Sequence, residues 1–382
     1  MSRDAELKTA LGAADRPVML ERAAEVGRAA KAWRRAGLLA VDTEFVRERT
    51  YHANLGLVQI SDGQTVWLLD PLADGVLAPL AELLADDGIT KLLHSPSEDL
   101  EVLLHVTGQL PAPMIDSQIA CALLGQPLQL GYHKAAEWLL DVPIDKDLTR
   151  SNWMARPLKP ALLRYAALDV CVLPMMWELL EERLAERGRI AWLQEDCERM
   201  LREAATPVDP AASWERIRGA GRLGGEELAV LQALAAWREE EAVQRNRPRG
   251  FIVKDPVLLT IARERMSDPD DLEALADLHP RARQRYAGVM TEIVRSTLDS
   301  GRTLPVPPQA GPKERARLKA MRRLVQDTAE RLDLEPTVLA TKRDMEALLF
   351  APPGAPLPER LSGWRRDLVG QPLQALAAAP ED

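Results

Sequence analysis

Leu38-Leu39-Ala40-Val41-Asp42-Thr43-Glu44-Phe45 runs an apolar stretch into two carboxylates placed one residue apart. Read as a strand, its side chains alternate between faces, so Asp42 and Glu44 point the same way. Like charges on one face of a largely buried strand repel, and each resists desolvation. A divalent cation would compensate them. A strand end turning into solvent would instead leave both simply hydrated, and this stretch alone does not choose between the two.

Outward from this stretch, residues 1–35 are predicted to be helical, from their Ala, Arg and Glu content and apolar residues at three- and four-residue intervals. On the other side, strand-like Leu55–Ser61 and Thr65–Leu69 flank Ser61-Asp62-Gly63-Gln64, where Asp-Gly tolerates the positive φ of a hairpin turn. Pro71 closes that run, Leu77–Leu84 reads as an amphipathic helix, and Ile89–His94 as another short strand. Ser95-Pro96-Ser97-Glu98-Asp99 has the composition of a helix start, with hydroxyls to satisfy free N–H groups and acids behind them. Pro113–Asp116 is extended, and Ser117–Leu124, Gly131–Leu140 and a long Pro160–Glu186 are helical. Strands first, then strands alternating with helices, indicate an α/β architecture with a mixed sheet.

The pattern changes near Ala205–Ala212, where Pro207 and Pro210 interrupt the helical periodicity. Beyond it the sequence reads as short helices: Leu228–Ala242, Asp255–Arg265, Pro269–Leu278 and Arg281–Asp299. Pro305, Pro307, Pro308 and Pro312 mark Thr303–Pro312 as a stiff linker. A second helical unit follows, from Lys313–Leu332 through Gly363-Trp364-Arg365-Arg366, similar in length and order to the first and so a candidate duplicated module.

At 382 residues the chain exceeds one ordinary core. The net charge of −9 falls entirely in residues 1–200, which hold 21 Lys and Arg against 30 Asp and Glu, while the remainder balances. The acidic excess therefore accompanies the carboxylate strand, and any polyanion must be held by local basic patches rather than by the global field. Cys121, Cys171 and Cys197 are odd in number and widely spaced, which argues against a disulfide framework or a thiolate zinc site. No stretch approaches a membrane span and no secretory-type apolar run opens the sequence, so the expectation is a cytoplasmic protein without membrane contact.

Three further residues stand out once placed on elements. Asp99 sits at a helix start after a separate strand. Tyr165 and Asp169 are four residues apart on one helix and so share a face. Singly, each has a plain alternative: Asp99 as an acid favoured by the helix dipole, Tyr165 as a packing residue. Asp169 on an apolar helix needs a partner. His94, five residues before Asp99, reads as a satisfied strand-end histidine, since oxygen-loving cations prefer carboxylates.

Taken in order, Asp-x-Glu, Asp and Tyr-x-x-x-Asp resemble the tyrosine-bearing branch of the DEDD superfamily of 3′→5′ exonucleases. Asp42-Thr43-Glu44-Phe45, Arg47-Glu48-Arg49-Thr50-Tyr51, Leu57-Val58-Gln59-Ile60, Ser151-Asn152-Trp153, Arg156-Pro157-Leu158 and Tyr165-Ala166-Ala167-Leu168-Asp169-Val170 are similar to the ribonuclease D family within it. Ala236-Trp237-Arg238-Glu239 and Pro248-Arg249 before Asp255 resemble an HRDC domain, and the tail resembles a second, more divergent one. The resemblance spans almost the whole chain. It implies an α/β ribonuclease H-like exonuclease domain with a mixed sheet at 1–206, a first HRDC domain at 207–300, a linker at 301–312 and a second HRDC-like domain at 313–382.

It also implies a metal-dependent 3′→5′ exoribonuclease that trims structured RNA, with transfer RNA precursors as the expected substrate and nucleoside 5′-monophosphates as products. The expected catalytic set is Asp42, Glu44, Asp99, Tyr165 and Asp169, with the four acids holding two divalent ions, Mg2+ or Mn2+. By the resemblance, Asp42 bridges the ions, Glu44 and Asp169 serve the nucleophile side, and Asp99 serves the other. Tyr165 orients the attacking water, because a phenol of ordinary pKa about 10 is a poor base at neutral pH. Phe45, Arg47, Tyr51, Trp153 and Arg156 are candidate nucleic-acid contacts, with core packing as the alternative for Phe45 and Trp153. Basic clusters at Arg245–Lys254, Arg281–Arg285 and Lys313–Arg323 are candidates for holding RNA farther from the cut, or plain solvated faces. No obligatory protein partner is implied, and a monomer is expected. A DNA exonuclease of the same chemistry and a catalytically silent scaffold remain as alternatives.

Overall fold

In the computed structural model, which describes residues 2–144, 151–306 and 308–378, the chain forms two compact units. One comprises residues 1–46, 55–205 and 310–382, the other 47–54 and 206–309. Pro307 of the expected linker lies outside the described residues.

The first unit begins with α1 (Arg3–Ala14), β1 (Val18–Leu20) and α2 (Ala23–Ala36). The helical reading of residues 1–35 holds for α1 and α2 but misses the short strand β1 between them. Pro17 disfavours helical backbone at the residue before it, and the chain then lays β1 beside a strand. The sheet continues with β2 (Leu38–Val46), β3 (Asn54–Ser61) and β4 (Val66–Leu69). α3 (Leu77–Leu84), β5 (Thr90–Leu93), α4 (Ser97–Thr107) and β6 (Met114–Asp116) follow. The six strands lie in the order β1-β4-β3-β2-β5-β6. β3 and β4 pair antiparallel, while β1–β4, β2–β5 and β5–β6 pair parallel, so the sheet is mixed as expected. Gly63 takes a φ of +84° in the β3–β4 turn, where the Asp62 carboxylate accepts from the Gln64 and Thr65 amides. The central strands are buried on both faces: Leu39, Leu57, Ile60, Leu68 and Leu92 are each 0 % exposed.

Around the sheet pack α5 (Ser117–Ala122), α6 (Tyr132–Leu140), α7 (Pro160–Cys171), α8 (Leu173–Glu186) and α9 (Ile190–Ala205). The single helix expected over Pro160–Glu186 is two, broken at Val172. Pro174 explains the break: without an N–H it cannot continue the ladder, and its ring opposes the carbonyl four residues back.

In the second unit, α10 (Gly225–Gln244), α11 (Arg249–Ile252), α12 (Asp255–Glu264) and α13 (Pro280–Asp299) enclose an apolar core that includes Leu231, Leu234, Ile261, Met290 and Val294. The expected helix at Pro269–Leu278 is a 3-10 turn ending at Ala274. Tyr51 belongs to this unit. Its hydroxyl donates to buried Glu239, and the Arg249 guanidinium lies 4.9 Å above its ring.

The last helices, α14 (Pro312–Leu332), α15 (Pro336–Leu339), α16 (Lys342–Leu349) and α17 (Gln371–Ala378), fold with the sheet-bearing unit. Arg365 forms a two-bond pair with Asp196 at 2.6 and 2.8 Å, each side chain only 4 % exposed. Trp364 stacks on Trp192 at 4.2 Å with the rings 4° apart.

Candidate active site

The parallel β2–β5 pairing sends both strands out along the same sheet edge, the edge at which open α/β sheets gather their ligands. β2 delivers Asp42 and Glu44 there on one face. β5 turns into α4, whose first turn carries Asp99, 9 % exposed. α7 packs against β2 and adds Tyr165 and Asp169, one helical turn apart. Three separate elements thus bring the five expected residues together.

The electrostatics of this group record how little compensates it. Burial, then the charges of Asp99, Asp169 and Glu44, push the Asp42 carboxyl well above the usual carboxylate range. Burial and the Asp169 and Asp99 charges raise Glu44 to about 8. Asp169 rises to about 7 through burial. Asp99 rises to about 6, burial being opposed by the hydroxyl of Thr43, which donates to its carboxylate. Burial and the three neighbouring carboxylates of Asp169, Glu44 and Asp42 raise the Tyr165 phenol too, so it keeps its proton at neutral pH.

Four desolvated carboxylates have the donor chemistry of hard divalent ions such as Mg2+ or Mn2+. Among the described residues, no three Asp, Glu, His or Cys side chains are drawn together tightly enough to close around an ion as they stand. Mutual repulsion opposes the closer approach that a cation would permit.

The residues expected to touch nucleic acid divide. Phe45 is partly exposed and Arg47 exposed. Trp153 is only 3 % exposed and lies 6.3 Å from the Tyr165 ring, a support for that ring rather than an open stacking platform. Arg156 is engaged within the chain. Its Nε and Nη2 each donate to the Asp70 carboxylate at 2.6 Å, and its remaining donors reach the carbonyls of Gly56, Trp153 and Ala155. It clamps the loop before α7 onto the sheet. Tyr51 is likewise engaged, through Glu239 and Arg249. His94 holds the satisfied strand-end position expected of it, 2.8 Å from both Ser117 Oγ and the Leu130 carbonyl.

Sequence reasoning missed four neighbours of the site. Thr43, between the two acids, braces Asp99. Tyr132 donates to the Leu168 carbonyl at 2.9 Å and so fixes the turn of α7 that carries Asp169. His133 Nε2 lies 3.8 Å from the Asp169 carboxylate. Asp116, 1 % exposed and raised to about 6 by burial, accepts from the amides of Ser95 and Gln118 and shapes the approach to α4. Only Thr43 had a legible signal, a hydroxyl flanked by two carboxylates.

Comparison with known proteins agrees with this geometry. Residues 17–185 match a 3′-5′ exonuclease family and residues 227–294 the HRDC domain. Ribonuclease D of Pseudomonas paraeruginosa is 39% identical over 92% of this chain and 94% of its own length. Ribonuclease D of Escherichia coli is 35% identical over 88% of this chain and 92% of its own. The crystal structure of Escherichia coli RNase D, described as an exoribonuclease involved in structured RNA processing, superposes with a TM-score of 0.87. It covers 96% of this chain and 100% of that one at 32% identity. Among the described residues no helix is long and apolar enough to cross a membrane. The exonuclease fold with its mixed sheet, the HRDC domain and full-length similarity to these enzymes place the chain in the ribonuclease D family, hydrolases that act as 3′→5′ exoribonucleases.

Proposed function

We propose that the chain trims the 3′ ends of structured RNA, transfer RNA precursors foremost, as a cytoplasmic monomer, releasing nucleoside 5′-monophosphates. The observation that carries this reading is the convergence of Asp42, Glu44, Asp99 and Asp169, all raised by burial, around one edge of the sheet. These four would hold two divalent cations, which when bound supply positive charge at the scissile phosphate and acidify the attacking water. Asp42, with three carboxylate neighbours, stands where it would be shared between the ions; Glu44 and Asp169 would serve one and Asp99 the other. Thr43 keeps Asp99 aimed. Tyr165, protonated, would position the attacking water through its hydroxyl. Phe45 and Arg47, just beyond Glu44 in sequence, are the proposed contacts to the terminal nucleotides, with Trp153, Arg156 and Tyr51 holding backbone and neighbours in place.

We further infer that α14–α17 form a second HRDC-like module. The order of a long helix, a four-residue helix and a medium helix in α14–α16 follows that of α10–α12. The test is an end-trimming assay on 3′-extended transfer RNA with Mg2+, Mn2+ or EDTA. Trimming with either ion, its loss in EDTA and its loss in Asp42→Ala are expected. Undiminished trimming in EDTA or by Asp42→Ala would contradict the metal-dependent mechanism.

A further inference from the structure

Residues of β6, α5 and α9 and of the last helices enclose a cavity of about 460 Å³ within the sheet-bearing unit. Its volume falls in the range of small-ligand sites. None of the four acids of the candidate active site lines it, although Ser97, two residues before Asp99 in the first turn of α4, does. Ile119 and Leu128 together with Met200 of α9 and Val338 of α15 give it an apolar side. Arg199 of α9 meets Arg360 and Arg365, from the segment between α16 and α17, to give it a cationic one. Ser97 and Gln129 are exposed, so the cavity opens to solvent.

The three guanidiniums share this space with two carboxylates, Asp116 and Asp196. Asp196 is committed to Arg365 by two bonds and reaches Arg199 only at 3.3 Å. Asp116 accepts from the amides of Ser95 and Gln118. The other acids here, Glu203 on Arg199 and Asp344 on Arg360, do not line the cavity, and Glu203 is exposed. Burial and the charge of Arg365, with a smaller contribution from Arg199, hold the Arg360 guanidinium below its ordinary value. Like charges are therefore gathered in a partly desolvated space, where a facing anion would relieve them. Among the described residues the Nε–H of neither Arg199 nor Arg360 has a hydrogen-bond acceptor. Guanidinium donors match phosphate oxygens in geometry as well as charge.

We propose that this cavity binds a small phosphate monoester, its phosphate on Arg199 and Arg360 and its organic body on Ile119, Leu128 and Met200. Inorganic phosphate offers the same charge without the body, whereas a nucleoside 5′-monophosphate offers both. The site does not depend on the trimming reaction, and in the absence of metal the four active-site acids would repel such a ligand rather than compete for it.

The test is isothermal titration calorimetry of the full chain in EDTA, with AMP, inorganic phosphate and adenosine as probes. AMP should bind one site per chain, and phosphate and adenosine each at least tenfold more weakly. Arg199→Gln should weaken AMP binding about tenfold, as loss of one charge-assisted hydrogen bond predicts. Met200→Trp, which fills the apolar side, should abolish it, and Asp42→Asn should leave it unchanged. Urea unfolding reports whether each cavity variant folds, and either variant alone decides the matter. No AMP binding by the wild type, undiminished binding in a folded cavity variant, or loss of binding in Asp42→Asn would overturn the proposal. Phosphate binding as tightly as AMP would also overturn it, leaving a bare anion site. Absence of trimming with Mg2+ would bring down the proposed function instead, and the calorimetry would still decide the cavity.

Discussion

Glu44→Gln should abolish trimming and, in EDTA, make the protein more stable. Glu44 is raised to about 8 by burial and by Asp169 and Asp99, against an ordinary glutamate value of about 4.3. A carboxyl whose folded pKa lies above its unfolded pKa favours the folded state least at high pH. The loss begins as pH rises past the unfolded value and is complete above the folded one. Each pH unit climbed between those two values costs about 1.4 kcal/mol, so the penalty is about 1 kcal/mol at pH 5, about 3.5 at pH 7 and about 5 at pH 9. These are upper figures, because Gln retains the desolvation cost of an amide. The measurement is urea unfolding in EDTA from pH 5 to 9. Since two units need not unfold together, the transition to follow is the one that Mg2+ shifts in the wild type. The variant should gain on the wild type progressively with pH, and Mg2+ should shift its transition less. A variant less stable than wild type throughout, or a difference independent of pH, would refute the claim that Glu44 is an uncompensated charge awaiting a cation.

Other changes probe the supports. Tyr165→Phe should lower kcat about 100-fold with little change in KM, as loss of a water-positioning hydroxyl predicts; a steady-state comparison with full kcat would remove Tyr165 from the mechanism. Asp196→Ala leaves buried Arg365 without its two-bond partner and should cost about 3–5 kcal/mol in urea unfolding, whereas a paired Asp196→Leu and Arg365→Met change should cost much less. Gly56→Ala would place a Cβ 2.7 Å from Trp153 Cβ and 2.8 Å from its carbonyl oxygen, so unfolding should show a loss of about 1–3 kcal/mol. An unchanged midpoint would mean that the Arg156-clamped loop yields without cost.

How much of this was legible follows from the range of the interactions. Alternation and turn chemistry are local, so β2, the Asp62-Gly63 turn, α3 and the helical character beyond residue 224 could all be read from sequence. β1 could not. Its three residues carry too little periodicity, and its place is decided by pairing with β4, far along the chain. The interruption at Val172 was available in Pro174 but was masked by strong helical periodicity on both sides.

At the site, the five expected residues each carry a charge or hydroxyl on an otherwise apolar element, and that contradiction makes them visible. Arg156 and Trp153 show the converse. Their residue types suit nucleic acid equally well, and only tertiary contacts reveal that Asp70 and the carbonyls around it occupy the guanidinium. The grouping of α14–α17 with the sheet was equally hidden, because Arg365, Asp196 and the two tryptophans that join them are about 170 residues apart and no local pattern links such distant positions.

The central claim is that four carboxylates from three elements hold two divalent ions at an RNA 3′ end. Equilibrium dialysis with Mn2+ and an RNA whose terminal linkage resists hydrolysis tests it most directly. The account predicts two ions bound per chain in the wild type and loss of both high-affinity sites in Asp42→Asn. One ion or none in the wild type, or two retained by Asp42→Asn, would contradict it.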